Sequence, residues 1–164
     1  MMNIIHDLFL NVVCPVVGTV AFAALFNVPH KYYATCGLAG LGGWLMYSFT
    51  YQFTTIAMAS FFGAMVVVLI SRMLTVKMKC PITVFLVSGI FPLIPGAKIY
   101  NTAFGLFNNR LSSAAESGFE ALKIAFAIVL GIVFIVAIPR EWFRVEYWKR
   151  RRPKKSKIGE HKHE

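Results

Sequence analysis

Apolar residues in this chain do not alternate with polar ones. They run on in five stretches, at approximately 5–26, 32–50, 53–74, 82–107 and 117–138, each closed by polar, proline-containing or charged residues. Crossing a hydrocarbon layer of ~30 Å at ~1.5 Å per residue takes about 20 apolar residues. Lipid offers no water to unpaired peptide groups, so runs of this length predict helices, and the two-residue alternation of an outer-membrane barrel is absent. The pattern predicts an all-α integral membrane protein with about five transmembrane helices.

The fourth stretch departs from that pattern. Residues 91–105 read FPLIPGAKIYNTAFG, with Pro92, Pro95 and Gly96 where a smooth apolar helix is expected. Proline lacks an amide proton and clashes one turn back, and glycine loosens the backbone, so the span should split into half-helices at roughly 82–91 and 97–107. Irregular backbone at membrane depth is tolerated where it is buried in protein or lines a cavity, as in the discontinuous helices of transporter binding sites. The amides of Ala97, Lys98 and Ile99 would then be free to seat a carboxylate. Beyond the break, Lys98, Asn101, Thr102, Gly105, Asn108 and Asn109 share one helical face, a polar stripe running from mid-membrane to the outer connection. Tyr100 points nearly opposite and is expected to brace a neighbouring span or a partner chain. The plainer alternative is a kink filled by neighbouring side chains, with Lys98 snorkelling to an interface.

Charge sets the expected orientation. Of 164 residues, 57% are hydrophobic and 15% charged, and much of the net charge of +10 lies after residue 139. With five spans the termini lie on opposite sides. Placing the C-terminus inside gathers Lys31, then Arg72, Lys77 and Lys79, then the basic tail on one side, and leaves only Arg110 in the opposite connections. This predicts an N-outside, C-inside, multi-pass protein of the inner or plasma membrane. Residues 1–139 form the transmembrane domain. In 140–164, Trp142, Phe143, Tyr147 and Trp148 interleave with Arg140, Arg144 and Lys149. That segment reads as an interfacial amphipathic helix followed by a basic cytoplasmic tail drawn to membrane lipids, with no nucleic-acid role.

The remaining chemistry is sparse. Cys14, Cys36 and Cys80 have neither paired spacing nor histidine companions, so no disulfide framework or metal site is expected, and no cofactor motif is present. The first run starts MMNIIHD without a basic segment and reads as a retained span, although Ala21-Phe22-Ala23 resembles a cleavage site. Asp7 is open to two readings, a carrier of a coupling proton or a helix-start charge in the headgroup region. Glu120 can pair with Lys123 at i+3, and the small-residue spacings Ala39/Gly43, Ala59/Gly63 and Ala127/Gly131 permit close helix approach. No enzyme signature occurs, so catalysis is not expected.

Phe26-Asn27-Val28-Pro29 and Pro92-x-x-Pro95-Gly96-x-x-x-Tyr100 resemble the small subunit of the split threonine/serine exporter family, equivalent to the C-terminal membrane domain of the fused members. The resemblance implies a secondary exporter of small carboxylate-bearing metabolites, threonine and serine or a dicarboxylate such as succinate, working with a larger membrane subunit of the same family. It points to Pro92, Pro95, Gly96 and Tyr100, and Lys98 falls at a free position of the pattern. The polar face adds Lys98, Asn101 and Thr102 to the expected substrate path. A partner of five spans that starts inside would make an inverted-topology pair, with room for a higher-order oligomer. Two alternatives stand beside this reading: an accessory or assembly subunit with no substrate path of its own, and a holin-like pore.

Overall fold

The computed structural model describes residues 12–138; Asp7 and the segment 139–164 lie outside the described residues. Within them the chain is helical, with six α-helices: α1 (Cys14–Leu25), α2 (Tyr33–Tyr51), α3 (Ile56–Met78), α4 (Thr83–Ile90), α5 (Gly96–Phe107) and α6 (Leu111–Val136). Single 3-10 turns, His30–Tyr32 and Phe91–Leu93, precede α2 and follow α4. Two of these helices, α3 and α6, are long and apolar enough to cross a membrane, and Thr83–Leu93 with Gly96–Phe107 counts as a third if the bent pair is one span. The second stretch, α2, has 19 residues, but Gly37, Gly40, Gly42 and Gly43 together with its tyrosines lower its hydropathy. Those glycines serve packing instead.

Both connections that carry an asparagine among the described residues are built as helix stops. After α1, Asn27 takes φ 58°, its amide donates to the Ala24 carbonyl, and the Val28 amide donates to Ala23. After α5, Asn109 takes φ 55°, its amide donates to Leu106, and the Arg110 amide donates to Gly105. This double closure satisfies carbonyls that the helix end would otherwise leave bare, and asparagine tolerates the left-handed conformation it requires. Val28 then tucks against Ala23, Cys36 and Phe85, and Pro29 blocks continuation.

The core is assembled around small residues. A Cβ on Gly43 would meet Val67 at 2.2 Å and the Gly63 carbonyl at 3.3 Å, so the α2 and α3 backbones touch. A Cβ on Gly131 would lie 2.6 Å from the Phe61 carbonyl, which brings α6 equally close to α3. Association without a hydrophobic drive depends on such contact. Leu93, 5% exposed, plugs the space between these backbones, with Ala64, Val67, Ile124 and Ile128 around it. Buried hydroxyls turn back on their own helices: Thr19 donates to the Pro15 carbonyl, Ser60 to Ile56 and Ser88 to Val84.

Arg72 corrects the charge count above. It is not in a connection but inside α3, 7% exposed, donating to the carbonyls of Val136 at 2.8 Å and Ile138 at 2.6 Å. Its guanidinium thus holds the end of α6, where carbonyls lack helical partners. These contacts also set register. Ile124 lies by Ile56, Gly131 by Phe61 and Ala64, and Val136 by Arg72, so α3 and the second half of α6 run parallel. Residues 111–123 of α6 therefore continue beyond the α2–α3 turn, by roughly 18 Å along the helix axis at ~1.5 Å per residue.

Candidate functional site

The fourth stretch is broken where its prolines stand. Pro92 enters the 3-10 turn Phe91–Leu93, Ile94 is extended as the residue before a proline must be, and Pro95 starts α5, which leaves the axis of α4 by 56°. The turn is held from both sides. Leu93 anchors it in the core, and Phe91 stacks on Phe22 at 4.0 Å and touches Phe26 at 5.2 Å between ring centroids. The first of the two segments that carry the family resemblance therefore touches, through Phe26, the residue just before the second, Phe91.

The amide seat is only partly present. Lys98 and Ile99 both donate to the Pro95 carbonyl, at 3.1 and 3.0 Å, because helix α5 begins one residue earlier than expected. Among the described residues Ala97 alone of the three retains an amide without a backbone acceptor. Gly96 is exposed, and a Cβ there would meet nothing within 4 Å.

The polar stripe also divides. Thr102 returns its hydroxyl to the Lys98 carbonyl at 2.8 Å and faces Gly118 of α6, while Gly105 is buried against Ala114. Asn101 is exposed; Asn108 donates its side-chain amide to the Phe104 carbonyl, and Asn109 is the left-handed stop. Tyr100 is 66% exposed and stacks on Phe104 of its own helix, with no ring contact to another span among the described residues.

Lys98 reaches across to α6 and forms an ion pair with Glu120, replacing the Glu120–Lys123 pair expected from spacing. Helix-to-helix reach decides this. The 56° bend lays α5 along residues 114–120 of α6, where Lys98 lies opposite Glu120, Thr102 opposite Gly118 and Gly105 opposite Ala114. Two cavities flank the pair. The larger, about 710 Å³, lies beside the break and is lined by Ile90, Ile94, Pro95, Ile99 and Thr102 with apolar residues of α6. The smaller, about 560 Å³, is more polar and is lined by Tyr51, Thr54, Thr55, Glu120 and Lys123. It sits at the α2–α3 turn, so the ion pair stands at the level of that turn and the stripe rises beyond it; the break itself lies deeper, beside Gly43 and Gly63. Sequence reasoning missed Tyr51, Thr54 and Thr55, since a turn of polar residues between two spans looks like any other connection.

Among the described residues no group of His, Cys, Asp and Glu could hold a metal ion, and Cys14, Cys36 and Cys80 are free thiols. Comparison with known proteins finds a Haemophilus influenzae protein, described as uncharacterized, that is 28% identical over 144 residues, 85% of this chain and 47% of its own length. The chain thus spans about half the length of the curated relative it matches. No solved structure matches it. A family model described as threonine/serine exporter, ThrE, matches residues 11–138, and with its helical, membrane-capable elements and its paired motifs the chain belongs to the threonine/serine exporter family.

Proposed function

We propose that this chain is the small subunit of a two-part secondary exporter, moving a small carboxylate-bearing metabolite, serine, threonine or a dicarboxylate, out through a plasma membrane. The observation that carries the reading is the 56° break held between Leu93 and Phe91 in a member of an exporter family. An interrupted helix is the feature that transporters use to place polar groups inside a bilayer. The exposed aromatic face of Tyr100, Phe104 and Phe107 offers a larger membrane partner a surface.

In this reading α1 with the residues before it, α2, α3, the broken pair α4–α5, and α6 are five spans, N-outside and C-inside. Lys31, Lys77, Lys79 and the basic tail still fall on one side once Arg72 is removed from the count, against Arg110 on the other. A partner with the opposite sense would complete an inverted pair.

Gly96→Val and Asn101→Leu test the path. Both positions are open within this chain, so neither change should disturb its own packing. Export of labelled serine or succinate is expected to be lost at unchanged membrane abundance, because the added bulk obstructs what passes the break. Normal export by both variants removes the break from the path.

A further inference from the structure

The polar cavity at the α2–α3 turn has no role in the reading based on the break, and its chemistry is unlike the rest of the helix bundle. At about 560 Å³ it is within the ~300–1,000 Å³ range of small-molecule sites. It is an open groove lined by Tyr51, Thr54 and Thr55 from the turn and Glu120 and Lys123 from α6, all but the half-buried Glu120 exposed, beside Ile56, Ala57 and Ile124. Lys98 enters from α5 through its ion pair with Glu120. Two cations, Lys98 and Lys123, therefore meet at Glu120, and Glu116 adds its charge on the Lys98 side, so that Lys98 is matched while Lys123 has no direct carboxylate contact among the described residues. Lys123 makes no ion pair among the described residues, and Thr55, the residue before α3, makes no side-chain capping hydrogen bond. Glu116 stands a turn further from the cavity and does not line it.

An ammonium, a carboxylate already engaged and the Thr55 hydroxyl, beside a Thr54 hydroxyl turned back to the Thr50 carbonyl, around a cavity of this size fit a small organic acid. We propose that this cavity is the carboxylate-binding site of the exporter, with Lys123 as the counter-ion of the substrate acid and Thr55 as its hydroxyl partner. The proposal rests on the exporter reading above and moves the binding site from the broken backbone to the rim beyond it. It also gives the Lys98–Glu120 pair a function. The ammonium of an amino acid competes with Lys98 for Glu120, whereas the second carboxylate of a dicarboxylate competes with Glu120 for Lys98. In either case occupancy loosens the tie between α5 and α6, and α5 is the helix that follows the break.

The test uses inverted membrane vesicles of the host that makes this chain, with labelled L-serine, L-threonine and succinate in separate arms. Lys123→Gln is expected to raise KM at least about tenfold for the transported acid, at equal abundance, the loss of one charge-assisted hydrogen bond. Lys123→Arg should restore most of it. Glu120→Gln should weaken serine more than succinate, and Lys98→Gln the reverse. In a cysteine-free background, Thr55→Cys should react with a membrane-permeant thiol reagent and be protected by the transported acid. Unchanged KM for Lys123→Gln together with no protection at Thr55→Cys, in vesicles that transport normally, overturns the site and leaves the exporter reading standing. Failure of wild-type vesicles to take up either acid or threonine overturns the exporter reading and the assigned ligand with it.

Discussion

Asn27 and Asn109 show how much of this molecule depends on single backbone conformations. Each sits at positive φ just after a helix and closes it with two amide-to-carbonyl bonds. An L-residue with a full side chain in that conformation costs about 1–2 kcal/mol, less for asparagine, and nothing for glycine. Asn27→Ala is therefore expected to lower stability by about 1 kcal/mol, and Asn27→Gly to leave it unchanged, in thermal unfolding of the detergent-solubilised protein followed by circular dichroism. The family-like segment Phe26-Asn27-Val28-Pro29 thus has a structural reason at every position: ring contact with Phe91, left-handed stop, buried plug and block. At the same scale the outer members of the stripe read from helical periodicity serve the end of α5, Asn108 by returning its side-chain amide to the Phe104 carbonyl and Asn109 as the left-handed stop.

Helices in this fold are joined by groups that cross between them rather than by local pairs. Arg72 on α3 holds the last carbonyls of α6, and Lys98 on α5 holds Glu120 of α6. Replacing Arg72 with leucine removes two charged-donor hydrogen bonds from a nearly dry position. Each such bond is worth about 1.5–3 kcal/mol, so a loss of roughly 3 kcal/mol is expected, with faster hydrogen exchange at residues 132–138 while residues 111–123 keep their protection. Uniform loss of protection along α6 would place the effect elsewhere. Spacing along one helix could not reveal either contact, since i+3 pairing of Glu120 with Lys123 is geometrically sound until the bend brings Lys98 within reach.

Across the whole molecule, a body of α1 to α4 and the second half of α6 is packed on glycine and alanine contacts. The hairpin of α5 and residues 111–123 of α6 rises beyond the α2–α3 turn. The proposed N-outside, C-inside orientation puts this hairpin and the polar cavity on the outer side. In a cysteine-free background a membrane-impermeant thiol reagent should label Gln52→Cys in intact cells and Lys79→Cys only in inverted vesicles. The opposite pattern reverses the orientation and turns the cavity to the inside.

Length of apolar runs and the positions of Pro92, Pro95 and Gly96 made helices and a broken fourth segment readable from the chain alone, because lipid forces backbone pairing and proline cannot supply it. Small-residue spacing likewise foretold where α2, α3 and α6 touch, since close approach needs the absence of side chains at defined intervals. Which charges meet was beyond that reach. The partner of Glu120, the burial of Arg72 and the gathering of Tyr51, Thr54 and Thr55 beside Lys123 depend on a 56° turn and on the parallel register of α3 with α6. These are properties of helices placed against one another, which no pattern along a single helix encodes.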